Sequence, residues 1–456
     1  MRIVIDMQGA QTESRFRGIG RYSMSLAQAI VRNRGEHEVI LALNGRLPAA
    51  IAAIQTAFAD ALPPENIRVW ISPGTARQDN SANAWHRPVA ELIREAFLQS
   101  LKPDVIHITS FFEGFVDEAV GSIQRFDMCT PVSVSVYDLI PLLHSAQYLD
   151  PTPVYAKYYR HKVEQIQKAS LLLAISESSG QEAREHLRFA ANKVVNVSTA
   201  VDANFGEQPV MPGLAQALRL KYNITQSFVM YTGGADARKN LLRLISAYAM
   251  LPATLRTAHQ LVFAGKVPDA DQHNLKQHAR AVGLVDTALV FTGYVPDEDM
   301  VVLYKLCKLF VFPSWHEGFG LPALEAMTCG TAVIAAKSTS LPEVVGWPDA
   351  MFDPFDEAAI CQKMTDALTN DIFRAELAAR GLVQSKKFSW DLTAKRAIEA
   401  FEALPHSAPT TPGQAVSTKW LPSLINAIAQ VVPHKAPQSD LLNIAHVLSL
   451  LGVKRL

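Results

Sequence analysis

The chain has 456 residues, enough for two domains with sizeable buried cores. Its 43 basic and 43 acidic residues cancel to zero net charge, which excludes the overall basic footprint of a nucleic-acid-binding protein. Hydrophobic residues make up 49% of the chain, yet no apolar run reaches the length of a membrane span, so a globular protein is expected.

The N-terminus enters a strand at once, over 3–6, so no secretory signal is expected. The following loop, SRFRGIGRY from Ser14 to Tyr22, partly matches G-x-G-x-x-G, with Ser23 in the third glycine position. A dinucleotide site also needs an acid after the second strand. Here strand 39–43 runs into Asn44 and Gly45, so NAD is disfavoured. Further apolar, β-branched runs at 67–71, 105–108, 132–136, 171–175 and 194–197 alternate with helical patterns. Strand 132–136 leads into YDLIPLLH, which carries Tyr137, Asp138 and His144, and strand 171–175 leads into Ser176 and Glu177. The stretch GEQPVMPG, 206–213, reads as a linker.

The second half repeats the style, with strands at 228–232, 261–264, 289–292, 309–312 and 333–336. Alternation of this kind predicts doubly wound parallel sheets. The first of these strands ends in YTGGADARKN, placing Arg238 and Lys239 on a turn into a helix that begins near Asn240. Strand 309–312 is followed by EGFGLPALE, from Glu317 to Glu325. The unit is strand, glycine-rich turn and helix, with Pro322 suited to the first helical position and Gly330 to the stop. Ligands of open α/β sheets sit at the carboxyl ends of the strands, and a helix start there offers N–H groups to an anion. A phosphate cradle flanked by two carboxylates suits a sugar nucleotide, whose diphosphate wants donors and whose hydroxyls want acceptors. Fixed cations at Arg238 and Lys239 would stabilise the charge of a departing nucleoside diphosphate.

Two D-x-D pairs, at Asp269 and Asp271 and at Asp297 and Asp299, raise the question of a metal. Asp297 stands at the opening of a helical pattern over 299–309, after Pro296, so helix capping is the better reading. No His, Cys or Asp cluster has ligand spacing, and with Arg238, Lys239 and a helix end at hand neither metal nor other cofactor is expected. The four cysteines, Cys129, Cys307, Cys329 and Cys361, form no CxxC pair. Cys307 and Cys329 read as small core residues, and a reducing, cytoplasmic setting is expected. Residues 390–404 form a final amphipathic helix, and HSAPTTPG, 406–413, is a low-complexity linker. Beyond it Trp420, Leu421, Leu424, Ile425, Ile428 and Val431 recur at helical spacing, and 441–451 forms another apolar helix. That extension fits a helical hairpin packed on the body, a docking surface for a membrane-bound partner, or the start of a further domain.

The Glu317-to-Glu325 run, set in EGFGLPALEAM after FVFPS, resembles the E-x7-E signature of retaining glycosyltransferases of family GT4, which have the GT-B fold. The stretch from Gly233 to Asn240 is similar to that family's G-x-x-x-x-R-K-N element, although Gly234 stands where many relatives carry another arginine. The GIGRY loop resembles the family's GxGRY, and Ser176-Glu177 its S-E-x-S turn; Tyr137 replaces a histidine common in relatives. The resemblance implies two Rossmann-like doubly wound domains facing a cleft. They would be an acceptor-side domain over 1–205, a linker over 206–218 and a nucleotide-sugar domain over 219–388. A crossover helix over 389–405 and the linker and helical extension over 406–456 complete the chain.

The same resemblance gives roles to single residues. Glu317, Arg238, Lys239 and Asp138 would be catalytic: Glu317 orients the donor sugar, and Arg238 and Lys239 hold its diphosphate. Gly18, Gly20, Tyr294, Val295, Gly318, Phe319, Gly320, Leu321 and Glu325 would bind the donor, with Glu325 on the ribose and Tyr294 and Val295 at the base. Arg21, Tyr137 and Ser176 would face the acceptor. Asp138 either touches the acceptor hydroxyl or caps its loop, and Arg15, Arg17 and Arg21 either hold an anionic acceptor or are plain surface. The N-terminal DMQGAQTESRFRGIGRY together with YDLIPLLH looks like bacterial O-polysaccharide mannosyltransferases. The implied substrates are GDP-mannose and a growing lipid-linked glycan, at the inner face of the cytoplasmic membrane. A membrane assembly complex or a further transferase domain would be met through 406–456. A UDP- or dTDP-sugar donor, a sugar-nucleotide epimerase and a silent scaffold of a glycan-assembly complex are the alternatives.

Overall fold

The computed structural model describes residues 1–80, 84–211, 213–405 and 420–451. They form two compact units. The first holds Met1–Ile175, Ser179–Ser198 and the described residues from Trp390 onward; the second holds Ser176–Ser178 and Thr199–Ser389. Residues 206–211 and 213–218, in the stretch read as a linker, are grouped with the second unit. The low-complexity 406–413 lies outside the described residues.

The first unit is built on seven parallel strands: β1 (Arg2–Asp6), β2 (Glu38–Asn44), β3 (Ile67–Trp70), β4 (Val105–Ile108), β5 (Val132–Val136), β6 (Leu171–Ala174) and β7 (Val194–Asn196). Their order is β3-β2-β1-β4-β5-β6-β7. Every residue of β4, β5 and β6 is buried, as a parallel sheet covered on both faces requires. At the end of β1, Asp6 pairs with Arg94 at 2.5 Å, both about 1% exposed, and the Gln8 amide donates to the same carboxylate at 3.0 Å.

The helix Trp390–Glu402 lies along the helix Gly18–Asn33 of this unit, with Tyr22 edge-on to Trp390 at 5.5 Å. Phe401 is fully buried beside His107 of β4, at 5.5 Å, which alone contributes about 1.5–3 kcal/mol. Arg32 adds an ion pair to Asp391, and the His37 ring bonds Glu402 at 2.9 Å, both too exposed to contribute much. The helices Leu421–Val431 and Gln438–Leu450 form the C-terminal extension. Leu421, Leu424, Ile428, Val447 and Leu448 pack against Val89, Leu92, Ile93 and Ala96 of the helix His86–Ser100, so the extension is a hairpin seated on the first unit.

The second unit has six parallel strands: β8 (Ser227–Thr232), β9 (His259–Ala264), β10 (Leu289–Phe291), β11 (Leu309–Phe312), β12 (Val333–Ala336) and β13 (Met351–Phe352). They run in the order β10-β9-β8-β11-β12-β13. The sequence reading misses β13, whose two residues are too short to show a period. It also starts β9 two residues late, because His259 and Gln260 are polar. Both are buried with partners: the His259 ring bonds Leu255 O, and the Gln260 side chain accepts from the Thr225 and Gln226 amides. The helix expected over 299–309 is Asp297–Leu306. Pro296, not Asp297, stands at its cap position, and Asp297 is the first helical residue. Pro296 has already set the entry angle, and Asp299 is taken by Lys221 and Tyr222, each at 2.6 Å. Asp269 and Asp271 lie in the first turn of the helix Asp269–Ala281, where a carboxylate favours the helix dipole.

Candidate active site

Strand order in the second unit reverses between β8 and β11, and both loops that leave this switch point carry the charged residues singled out in the sequence. After β8, Gly233 takes φ +139°, and a Cβ there would fall 2.6 Å from the Tyr231 hydroxyl. Asp236 then caps the short 3₁₀ turn Ala237–Lys239 by accepting from the Arg238 amide at 3.1 Å. Asn240 follows in the left-handed region, at φ +62°. Its side-chain amide donates to Pro313 O at 3.1 Å and to Pro354 O at 2.6 Å, stitching the β8 loop to those after β11 and β13.

This frame delivers two cations to one carboxylate. Glu317, 7% exposed, accepts from Lys239 Nζ at 2.5 Å and from Arg238 Nη1 at 2.9 Å. Arg238 also reaches His316 O at 3.0 Å, while its own carbonyl accepts from Trp315 N. Burial pushes the Glu317 carboxyl up, but Lys239 and then Arg238 outweigh it and its pKa lies below the usual carboxylate value. The glycine-rich loop is shaped by the segment after β12. The Glu317 amide donates to Thr339 Oγ1 at 3.0 Å, and Ser340 Oγ lies 2.9 Å from Glu317 O and 2.7 Å from Phe319 O. Gly320 stands at φ +111° as the cap of the helix Leu321–Thr328, with Leu341 pressed where a Cβ would go. That helix ends in a Schellman motif at Gly330, φ +77°, with Thr331 N bonded to Ala326 O.

The structure brings Glu317, Gly318, Phe319, Gly320 and Leu321 together with Arg238 and Lys239. Ser176, which packs with this unit, donates to Gly318 O at 2.6 Å. Glu325 is half-buried and accepts from the Tyr304 hydroxyl at 2.8 Å, a partner the motif did not name. Beyond β10, Tyr294 is 76% exposed whereas Val295 turns into the core. A cavity of 520 Å³ lined by Asp236, Arg243 and His278 abuts the same turn but has none of Glu317, Arg238 or Lys239 in its wall. Among the described residues, no group of three or more His, Cys, Asp or Glu is gathered to hold a metal ion.

In the first unit Gly18 opens the helix Gly18–Asn33, where a Cβ would meet nothing. Gly20 is different: a Cβ would lie 2.2 Å from Arg15 Cα, so glycine lets the 3₁₀ turn Glu13–Phe16 press on the helix. Arg21, half-buried on the same helix, is not among the residues lining the cavity described next. Tyr137 and Asp138 do line it, together with Glu113, Asp117 and Tyr155, in a volume of 320 Å³. The Tyr137 hydroxyl donates to Thr109 O at 2.7 Å, and Asp138 accepts from Ile140 N at 3.1 Å, closing the turn after β5.

Residues 217–383 match a family model described as Glycosyl transferases group 1, and residues 16–205 match one described as Glycosyltransferase Family 4. The chain belongs to the family 4 glycosyltransferases. Over 419 residues, 91% of the chain, it is 39% identical to the serotype-specific mannosyltransferase WbdA of Escherichia coli, covering 50% of that protein. It is 35% identical over 242 residues to the O-antigen chain mannosyltransferase B of Escherichia coli, covering 53% of this chain and 62% of that one. The chain thus spans about half the length of the first of these relatives. Among solved structures it resembles HepE of Anabaena in complex with UDP and glucose, with TM-score 0.61 at 18% identity over 89% of this chain and 100% of that one. WaaG, a glycosyltransferase involved in lipopolysaccharide biosynthesis, gives TM-score 0.60 at 15% identity over the same shares. The two doubly wound sheets are those of the GT-B fold.

Proposed function

We propose that this family 4 chain is a retaining mannosyltransferase, moving mannose from GDP-mannose to a hydroxyl of a growing, lipid-linked surface polysaccharide. The observation that carries the reading is the pairing of Arg238 and Lys239 with Glu317 at the switch point, beside a glycine-capped helix start. Relatives named as mannosyltransferases support the choice of sugar.

In this mechanism the bond between the anomeric carbon and the diphosphate oxygen breaks, and the acceptor oxygen bonds to the same face of the sugar. The acceptor proton passes to the departing phosphate oxygen. Arg238, Lys239 and the amides around Phe319 to Leu321 stabilise the leaving charge, which grows in the transition state. Glu317 keeps both cations in place before the donor arrives and orients the donor sugar's hydroxyls. Glu325, aimed by Tyr304, accepts from the ribose. No described helix is long and apolar enough to cross a membrane. The reading places the reaction in the cytoplasm, at the inner membrane face where the lipid-linked acceptor is presented.

The test is a thermal-shift panel of GDP-mannose, GDP, UDP-glucose, UDP-N-acetylglucosamine and dTDP-rhamnose with EDTA present. A ligand that favours the folded state raises apparent stability by mass action. Selective stabilisation by GDP and GDP-mannose is expected. A response to another nucleotide alone moves the donor assignment, and no response with or without magnesium overturns the enzyme reading.

A further inference from the structure

The resemblance sets Ser176 beside the acceptor, yet its hydroxyl is engaged with the glycine-rich loop of the second unit. We infer that Ser176 and Glu343 are positioning residues for the donor diphosphate: together they fix the peptide that aims the Phe319 amide. The inference rests on the transferase reading for the identity of the anion, and on the loop geometry for the rest.

A planar trans peptide points its C=O and its N–H in opposite directions, so whatever holds a carbonyl also aims the next residue's amide. Ser176 is fully buried and donates to Gly318 O at 2.6 Å, which turns the Phe319 N–H to the opposite side of that peptide. Ser340 Oγ lies 2.7 Å from Phe319 O and acts in the same way on the Gly320 N–H. Ser338 Oγ holds Trp315 O at 2.5 Å. Hydroxyls thus occupy the carbonyls of this turn and leave its amides to a ligand. Phe319 and Gly320 are buried, and among the described residues their amides donate to no other group. A buried N–H without a partner is costly, and an anion at the turn satisfies both.

Ser338 and Ser340 come with the segment after β12, but Ser176 arrives on three residues, Ser176–Ser178, that are grouped with this unit apart from their neighbours in sequence. Glu343 holds those three in place. From the helix Leu341–Val345 its carboxylate accepts from the Glu177 amide at 2.9 Å and from the Ser178 amide at 3.1 Å. A carboxylate bridging two consecutive amides is a charge-assisted anchor with a fixed direction, and it sets the backbone from which Ser176 reaches Gly318. Burial pushes the Glu343 carboxyl above its usual range, although the two amides pull it down. Groups kept against such a cost concentrate at functional sites. One short element therefore controls the turn twice. Ser340, at the cap of that helix, bonds the Glu317 and Phe319 carbonyls directly, and Glu343 governs the Gly318 carbonyl through Ser176.

The experiment is a double-mutant cycle on the full chain, with Ser176→Ala, Glu343→Gln and the two combined, read in two ways. The first is steady-state transfer from GDP-mannose. Ser176→Ala raises the donor KM about threefold to tenfold, as for the loss of one neutral hydrogen bond, and leaves the acceptor KM unchanged. Glu343→Gln raises the donor KM in the same direction. The double variant falls no further than the more affected single one, because both act on one carbonyl. A merely structural loss lowers the amount of active enzyme and moves neither KM. The second reading is hydrogen exchange by mass spectrometry on the protein without donor, where the amides of 318–321 exchange faster in each variant. Where Glu343→Gln does not fold, Ser176→Ala decides by both readings. An acceptor KM that rises in Ser176→Ala while the donor KM stays returns Ser176 to the acceptor and overturns the assignment. Additive effects of the two substitutions overturn the part given to Glu343. Faster exchange at 318–321 in a protein that binds no nucleotide leaves the clamp and removes the transferase reading. Normal turnover with the donor KM and the exchange both unmoved removes the clamp and spares the transferase.

Discussion

At Glu317 burial and charge oppose each other, and charge wins: Lys239 and Arg238 hold the carboxyl ionised although 7% of the residue is exposed. Its folded-state pKa lies below the unfolded value, so its contribution to stability is full above the ordinary carboxylate range. It is lost as pH falls through the lowered value. Lys239→Ala leaves Glu317 with one cation and, on the proposed mechanism, the leaving diphosphate with one donor fewer. Steady-state kinetics should show kcat falling about 10²-fold or more, the magnitude found when one charge-stabilising donor is removed. Tyr304→Phe deletes only the hydroxyl that orients Glu325. The donor KM should rise about tenfold with kcat nearly unchanged, as for the loss of one hydrogen bond to a charged group; an equal fall in kcat would speak against a positioning role. Glu317, Arg238 and Lys239 were legible because each sits in one contiguous run beside a strand. Glu113 and Tyr155 were not: their signal is divided between distant loops with no fixed spacing, and only the fold brings them together.

Among the elements, the glycine cap and the crossover helix carry the clearest consequences. Gly320 stands at φ +111°. Gly320→Ala should destabilise the protein by about 1–3 kcal/mol in denaturant melts, the usual cost of a side chain in such a region. His107 sits inside β4 between Ser133 Oγ and Ser135 Oγ, each at 3.2 Å, under the Phe401 ring. Burial lowers its pKa from 6.5 to about 3. In the unfolded chain it protonates below 6.5 and in the folded one it does not, so stability falls as pH drops from 6.5 toward 3. A His107→Gln variant should melt with a flatter dependence across that window, and an unchanged slope would dismiss His107 as the source. The strands themselves were read well, because fully buried parallel strands are continuous apolar runs. The helix after Pro296 was misplaced because three successive acids give no apolar period with which to fix its start.

For the whole molecule, zero net charge conceals an uneven local distribution. At the switch point of the second unit Arg238 and Lys239 are matched by Glu317 and Asp236, while the cavity of the first unit is lined by three acids and no base. Composition excluded a nucleic-acid binder but carried no trace of this division. The C-terminal hairpin belongs to the same scale, since its apolar stripe covers Val89, Leu92 and Ile93 of the first unit. Leu424, fully buried in that seam, makes the test. Leu424→Asp should lower the melting temperature and expose apolar surface that binds a hydrophobic dye, whereas an unchanged melt would mean the hairpin adds nothing to stability.

The two sheets also divide the labour of recognition along the chain. The cations and carboxylate proposed for the donor come from loops after β8 and β11; the cavity beside the acceptor-side candidates Tyr137 and Asp138 is lined from loops after β4 and β5 and the helix Pro153–Ile166. Each set is anchored to its own sheet. On the proposed function, grafting residues 110–117 and 153–159 from a relative changes which acceptor is taken and leaves the donor as it was. On that reading, variation confined to those short stretches alters one substrate while the loops after β8 and β11 stay as they are.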